Sequence, residues 1–382
     1  SCSRFSFAAF EESGIRLYSI SARNLNIRRE EISMNRTWLT ILLLCFALPS
    51  ANALVILQYH HIDDSTPFST STAPERFKAH LNLLDELGAT IVRLEDAIIR
   101  DPSQLPDTAG GTDTELRIAI TFDDAFASIY DEAFPMLSER QWPFTIFVAP
   151  KLVGLNRQYL SWDQLKEMQA GGATIANHSL GHEHLIRLEA GENEADWLAR
   201  IKANTLAAER VLTEQLGVRP KLYALPYGEY RPSLVQQFHE MGYTVFGQQS
   251  GATTGIDLVP TVHPRFPMGG PYSHLGPLQD KINALPFPSD QALIDPLLAH
   301  AAARPSMVLT VSSALTRTHL PNCFGPSGPL PLERLGQDQF RITTSEPVPV
   351  GRSRFNCTLR AADCRYYWFS QLWMRRAPLE AW

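Results

Sequence analysis

No apolar run in the 382 residues is long enough to cross a bilayer. The longest, TWLTILLLCFAL at residues 37–48, falls short of the about 20 residues a spanning helix needs. There is no basic surplus: 34 Lys and Arg against 40 Asp and Glu leave a net charge of −6. That argues against nucleic acid or an anionic membrane as partner. There is no internal repeat, which argues against a solenoid or propeller array. Cysteine is scarce, five residues in all. Residues 1–33 lack any sustained apolar period and any evident partner element.

What is present begins at Met34. A short basic start (Asn35, Arg36) leads into the apolar run, then Pro49, Ser50 and Ala51-Asn52-Ala53. Together these form a secretory signal peptide, with cleavage expected after Ala53. Met34 is then the expected true start, residues 1–33 an upstream extension and 34–53 the signal. The mature chain would run from Leu54 to Trp382, exported to the periplasm or secreted, with no stable membrane insertion after cleavage. It would carry 28 basic and 36 acidic residues, a net charge near −8, which suits a neutral or cationic substrate. Its three cysteines, Cys323, Cys357 and Cys364, lie near the C-terminus. An oxidising compartment permits a disulfide among them, and the sequence leaves the pairing open.

Strand-length apolar segments alternate with helical patterns along the mature chain. Predicted strands are LVILQYH (54–60), ATIVRL (89–94), RIAITFDD (117–124), FTIFVAP (144–150), ATIANHS (173–179), KLYALPYG (221–228) and YTVFGQQ (243–249). Predicted helices cover residues 74–88, a stretch after Asp124 to about Arg140, and residues 161–172, 196–216 and 231–242. Alternation of this kind means an α/β fold on a parallel sheet. Function in barrels and open sheets alike sits at the C-terminal strand ends. From about residue 303 the helical period disappears. MVLTVSS, QFRITTS and RYYWFSQLW, separated by turns, predict a small β domain over 303–382, leaving 54–302 to the α/β part. The aromatic stripe at Tyr366, Tyr367, Trp368, Phe369 and Trp373 could stack on sugar rings; core packing of alternate residues is the plainer reading.

Three clusters at strand ends carry ionisable groups. Asp123 and Asp124 close a buried strand, where two adjacent acids are costly unless compensated. A divalent metal would compensate one and leave the other as a base; a helix N-cap pair is the bland alternative. His178 and His182, four apart in NHSLGHEHL, suit a zinc set with a carboxylate from elsewhere. His184 beside them reads as packing. In PYGEY (226–230), Gly228 permits a tight turn that can aim a backbone N–H at a developing oxyanion.

The order TFDD, HSxxH, PYG resembles the polysaccharide deacetylase family, the NodB-homology domain of carbohydrate esterases, over residues 54–275. The stretch YLSWDQLKEM also resembles the helix before its His motif. The resemblance implies a distorted (β/α)7-like barrel, here with a small C-terminal β domain. It implies metal ligation by Asp124, His178 and His182, usually of zinc, with another divalent transition metal as the alternative. Asp123 would be the general base, and the Tyr227 N–H would help hold the oxyanion. The expected reaction is removal of acetyl groups from an N-acetylated polysaccharide.

Two departures from the family pattern stand out. Ala125 replaces the Gly of TFDDG. The family Arg that pairs with the catalytic Asp falls at Ala224, and Arg265 in PRFPM is a candidate replacement. No LxxH motif follows residue 250 to supply the family's acid. QYHHI instead ends the first strand, resembling the permuted layout of poly-N-acetylglucosamine deacetylases, with His60 as the expected acid and His61 its neighbour. Competing readings are a deacetylase of peptidoglycan or O-acetyl sugars, or a catalytically weak carbohydrate-binding barrel.

Overall fold

The computed structural model describes residues 53–105, 115–217, 219–288, 292–298, 303–316 and 319–377. The expected upstream extension and all of the expected signal peptide except Ala53 lie outside the described residues.

Seven strands form the continuous path of an eight-stranded parallel sheet: β1 (Leu54–Tyr59), β2 (Arg117–Asp123), β3 (Phe144–Val148), β4 (Ala173–Asn177), β5 (Leu222–Ala224), β6 (Thr244–Phe246) and β7 (Phe266–Pro267). Their order is β7-β1-β2-β3-β4-β5-β6. The sheet's two edges meet across the segment leading into β7. His263 N–H donates to Val245 O (2.8 Å) and Arg265 N–H to Gln249 O (2.9 Å), on the β6 side. Met268 N–H donates to Gln58 O (2.9 Å), on the β1 side. The result is a distorted (β/α) barrel.

Period-two alternation sorts the side chains. Ile56, Ala119, Phe147, Ala176, Leu222, Ala224 and Phe246 form a small inner core. Leu57, Ile118, Ile120, Phe122, Ile146 and Ile175 face outward into a larger one, under the helices. These helices include α1 (Pro74–Glu86), α2 (Phe134–Glu139), α3 (Trp162–Ala170), α4 (Glu194–Leu216), α5 (Pro232–Glu240) and α6 (Leu275–Ile282). Each buried Leu, Ile or Phe contributes roughly 1.5–3 kcal/mol. Local chemistry sets the helix starts. A capping box of Ser161 and Gln164 opens α3, and the Asn193 side chain accepts the Ala195 and Asp196 N–H groups at α4.

The strands expected at 221–228 and 243–249 shorten to β5 and β6, and two further expected elements differ. The helix expected directly after Asp124 begins as a wide turn at Ile129–Ala133 and becomes regular only in α2. Pro135 has no N–H to give to a residue four earlier, so the regular ladder is broken there. The strand expected at 89–94 is reduced to Thr90–Ile91, beside the start of β2.

The C-terminal sheets are built from β8 (Ser306–Thr310), β9 (Asn322–Gly325), β10 (Gln339–Thr343), β11 (Gly351–Arg360) and β12 (Tyr366–Arg375). β11 and β12 form a long antiparallel hairpin, β9 pairs with β11, and a disulfide joins Cys323 to Cys357 across that pair. Leu285–Pro286 and Leu297–Leu298 add to β12 in parallel. The β12 strand lies against the barrel. Leu372 and Met374 pack with the α5 residues Leu234, Val235 and Phe238, and Trp368 meets Phe266 edge-on at 5.2 Å. Of the aromatic stripe, Trp373 is buried, Tyr367, Trp368 and Phe369 are half-buried, and Tyr366 is exposed. Among the described residues no helix is long and apolar enough to cross a membrane.

Candidate active site

The C-terminal ends of β2, β4 and β5 bring three sequence-distant groups together. Asp123 is the last inward-facing residue of β2, and the chain turns left-handed immediately after it, with φ of 71° at Asp124 and 56° at Ala125. His178 follows β4 directly, and Ser179 (φ 68°) and His182 (φ 61°) turn the chain back. Tyr227, after β5, has φ 60°. Positive φ costs a non-glycine residue roughly 1–2 kcal/mol, so five such residues at one end of one barrel mark a place where the fold enforces geometry. The turn at Ala125 also explains the glycine at this place in the resembling pattern. At Gly228 no other residue fits: φ is 68°, and a Cβ would lie 2.9 Å from the backbone nitrogen of Gln248.

Asp124, His178 and His182 each offer a ligand atom, all within 4.8 Å of one another. His178 Nε2 lies 3.2 Å, and His182 Nε2 3.1 Å, from Asp124 Oδ1. Metal bonds of about 2.0–2.2 Å at tetrahedral angles put ligand atoms ~3.3–3.6 Å apart. The donor chemistry also fits. His178 Nδ1 is 2.8 Å from Ala224 O, a contact in which it must donate, which leaves Nε2 as the lone-pair nitrogen. His178 Nε2 and Asp124 Oδ1 are buried and have no hydrogen-bond partner. Two buried acceptors facing each other want a cation between them. In the protein alone, burial opposes the Asp124 charge, yet His178 and His182 hold its carboxyl well below the usual range. Burial likewise pushes His178 down, but Asp124 and Asp123 outweigh it and raise it.

Asp123 has a different surrounding. Arg265, fully buried, grips it bidentately, NH1 to Oδ1 at 2.8 Å and NH2 to Oδ2 at 2.7 Å. The guanidinium is fixed in turn by Gly247 O (2.9 Å) and Thr121 Oγ1 (3.2 Å), and lies over the Phe147 ring. Gln58 Nε2 donates to Oδ2 at 2.6 Å. Burial would raise the Asp123 pKa, but the Arg265 charge prevails and brings it to about 2. Arg265 thus makes the pairing that the resembling pattern gives to an Arg at position 224.

His60 follows β1, outside the Asp–His–His set, and its charge acts on both Asp123 and Asp124. His61 stacks on Phe126 at 3.6 Å. His184 packs flat on Tyr227, ring centroids 3.9 Å apart, and its Nδ1 lies 2.8 Å from Glu229 Oε2. Sequence reasoning missed Gln58 and Glu229. The signal for Gln58 was present, a polar residue at an inward position of an otherwise apolar strand. Glu229 had none beyond its place next to Gly228.

A parallel barrel with an Asp–His–His cluster and an Arg-held aspartate at its strand ends defines a class of hydrolase-like sites. Residues 110–246 match the family model described as polysaccharide deacetylase, a span containing Asp123, Asp124, His178, His182 and Tyr227. Over this span the chain is similar to the polysaccharide deacetylase family. It is 25% identical over 202 residues, 53% of its length, to the Bacillus subtilis protein YxkH, whose name places it with the polysaccharide deacetylases. It is 23% identical over 254 residues, 55% of its length, to the poly-beta-1,6-N-acetyl-D-glucosamine N-deacetylase of Escherichia coli K12. The match spans 64% of the first relative and 36% of the second. Among solved structures, the Streptococcus pyogenes deacetylase PplD shares the fold, with a TM-score of 0.50 at 19% identity, over 60% of this chain and 98% of that one.

Proposed function

We propose that this protein hydrolyses N-acetyl groups of an N-acetylhexosamine polysaccharide, with a divalent metal, zinc or another transition ion, held by Asp124, His178 and His182. The observation that carries the reading is the pair of buried, partnerless acceptors, Asp124 Oδ1 and His178 Nε2, set beside an ionised Asp123. The name of the Escherichia coli relative supports an N-acetylglucosamine polymer as the substrate class.

A divalent metal, when bound, polarises an acetyl carbonyl and lowers the pKa of a water toward ~7. The residues of the chain do the rest. Asp123, kept anionic and aimed by Arg265 and Gln58, is the general base that takes a proton from the attacking water. The Tyr227 N–H donates to the oxyanion that forms as water adds to the carbonyl carbon. His60 gives a proton to the departing nitrogen; the C–N bond breaks, and acetate and a free amine result. Water is thereby divided, hydroxyl to the acetyl group and hydrogen to the amine.

The test is acetate release from a panel of N-acetylated glycans. The expected result is release that a chelator abolishes and a divalent metal restores, and that Asp124→Asn loses together with bound metal. Release unaffected by chelator and by Asp124→Asn would remove the metal reading. His60→Ala should cost roughly 10²–10⁴ in rate with metal content intact; loss of metal would instead make His60 a ligand. We further propose export through the segment 34–53. The mature N-terminus, read by sequencing, should begin at or near Leu54, and a cytoplasmic product retaining residues 1–33 would exclude export.

A further inference from the structure

The C-terminal hairpin reaches the segment after β5 from both its strands, Gln371 on β12 donating to the Tyr230 hydroxyl at 3.3 Å and Arg352 on β11 donating to Glu229. Arg352, on β11, makes two contacts with the turn after β5. Its NH1 donates to Glu229 Oε1 at 3.0 Å, and its guanidinium carbon lies 4.9 Å from the centre of the Tyr227 ring. Glu229 is 1% exposed, and its other oxygen faces His184 Nδ1. A carboxylate so buried needs compensation, and Arg352 supplies a permanent positive charge. His184 in turn lies flat on the same Tyr227 ring, its plane tilted by only 9°, and His182 meets that ring edge-on at 4.4 Å. Tyr227, Glu229, His184 and Arg352 therefore form one closed clamp, with the arginine cation and the His184 ring holding the Tyr227 ring and the carboxylate tying Arg352 to His184.

What the clamp holds is a strained backbone. Tyr227 sits at φ 60°, a conformation that persists only where the surroundings over-determine it. The next residue, Gly228, is also left-handed at φ 68°. Two successive left-handed residues give the turn a sharp aim, and a loosened Tyr227 ring lets that aim drift. We propose that Arg352 is a positioning residue, through which the C-terminal β domain sets the direction of the Tyr227 N–H in the active site. The proposal rests on the reading of that N–H as the oxyanion donor. It also gives the fused β domain a part in the chemistry: the barrel's own residues do not complete the clamp.

The experiment is steady-state kinetics on an N-acetylglucosamine oligomer, with metal content and thermal midpoint measured alongside. Arg352→Ala should lower kcat about tenfold or more while KM stays within about twofold, because losing an oxyanion donor outright costs about 10²–10³ and misaiming it forfeits part of that. Arg352→Lys keeps the charge but not the planar face, so it should recover part of the loss; it also carries the same kcat and KM comparison if the alanine variant does not fold. Tyr227→Ala should lower kcat as well, and adding Arg352→Ala to it should change kcat by no more than about twofold, since the arginine acts through the ring. Wild-type kcat in Arg352→Ala overturns the proposal. So does a rise in KM alone, which makes Arg352 a substrate contact, and so do losses that multiply in the double variant. A wild type that releases no acetate from any glycan removes the functional reading, and this inference with it.

Discussion

Asp123 and Arg265 are both fully buried, yet 142 positions apart in sequence. Breaking such a pair from one side typically costs 3–5 kcal/mol, because a charge is left buried alone, whereas replacing both members with apolar residues is often neutral. Arg265→Gln should therefore destabilise the fold by about 3 kcal/mol or more in urea denaturation, and leave activity reduced by at least ~10². The double variant Asp123→Leu, Arg265→Met should regain most of the stability and none of the activity. If Arg265→Gln alone kept full acetate release, Asp123 would not depend on its partner. Arg265 could be named from the sequence only as a candidate, because its motif, PRFPM, says nothing about the residue it meets. The Asp124, His178 and His182 set was easier to single out. Asp124 and His178 each stand at the end of an apolar run, His182 lies in the turn just after, and the run fixes which end of the barrel they reach.

At the scale of elements, legibility followed length. The strands β1 to β4 are five to seven residues of nearly continuous apolar sequence, the mark of a sheet buried on both faces. The strand that closes the barrel, β7, is two residues, too short to show a period, although it brings Arg265 to the site. The turn after β5 shows the same contrast. PYG was legible as a turn, while the left-handed Tyr227 and its clamp were not. They depend on His184, Glu229 and Arg352, and the last arrives from a hairpin more than a hundred residues later. The aromatic stripe of β12 was readable as half core by alternation: Tyr367, Phe369 and Trp373 pack into the β domain's own core and Trp368 onto the barrel.

On the scale of the whole molecule, His80 gives the pH dependence of stability a source away from the site. His80, on α1, is wholly buried where α1, β1 and the segment before α6 meet. Its Nε2 is 2.8 Å from Ser273 O, so Nε2 carries the hydrogen, and its Nδ1 accepts from the Tyr59 hydroxyl at 3.0 Å. Both ring nitrogens are thus satisfied by the neutral form. Burial first, then the positive charges of Lys281 and Arg76, lower its pKa from 6.5 to about 4, against a smaller upward pull from the Ser273 carbonyl. The unfolded chain takes up this proton near pH 6.5 and the folded one near 4, so the unfolded state binds more protons between them. Stability from this group is present above about pH 6.5 and is lost as pH falls toward 4, by up to about 3 kcal/mol at ~1.4 kcal/mol per unit. His80→Gln removes the titration while keeping a polar group in place. Urea midpoints at pH 7.5 and 4.5 should therefore fall less in the variant than in the wild type, and the gap between the two proteins should narrow in acid. Equal losses in both would place the acid sensitivity in other groups and leave His80 with only a packing role.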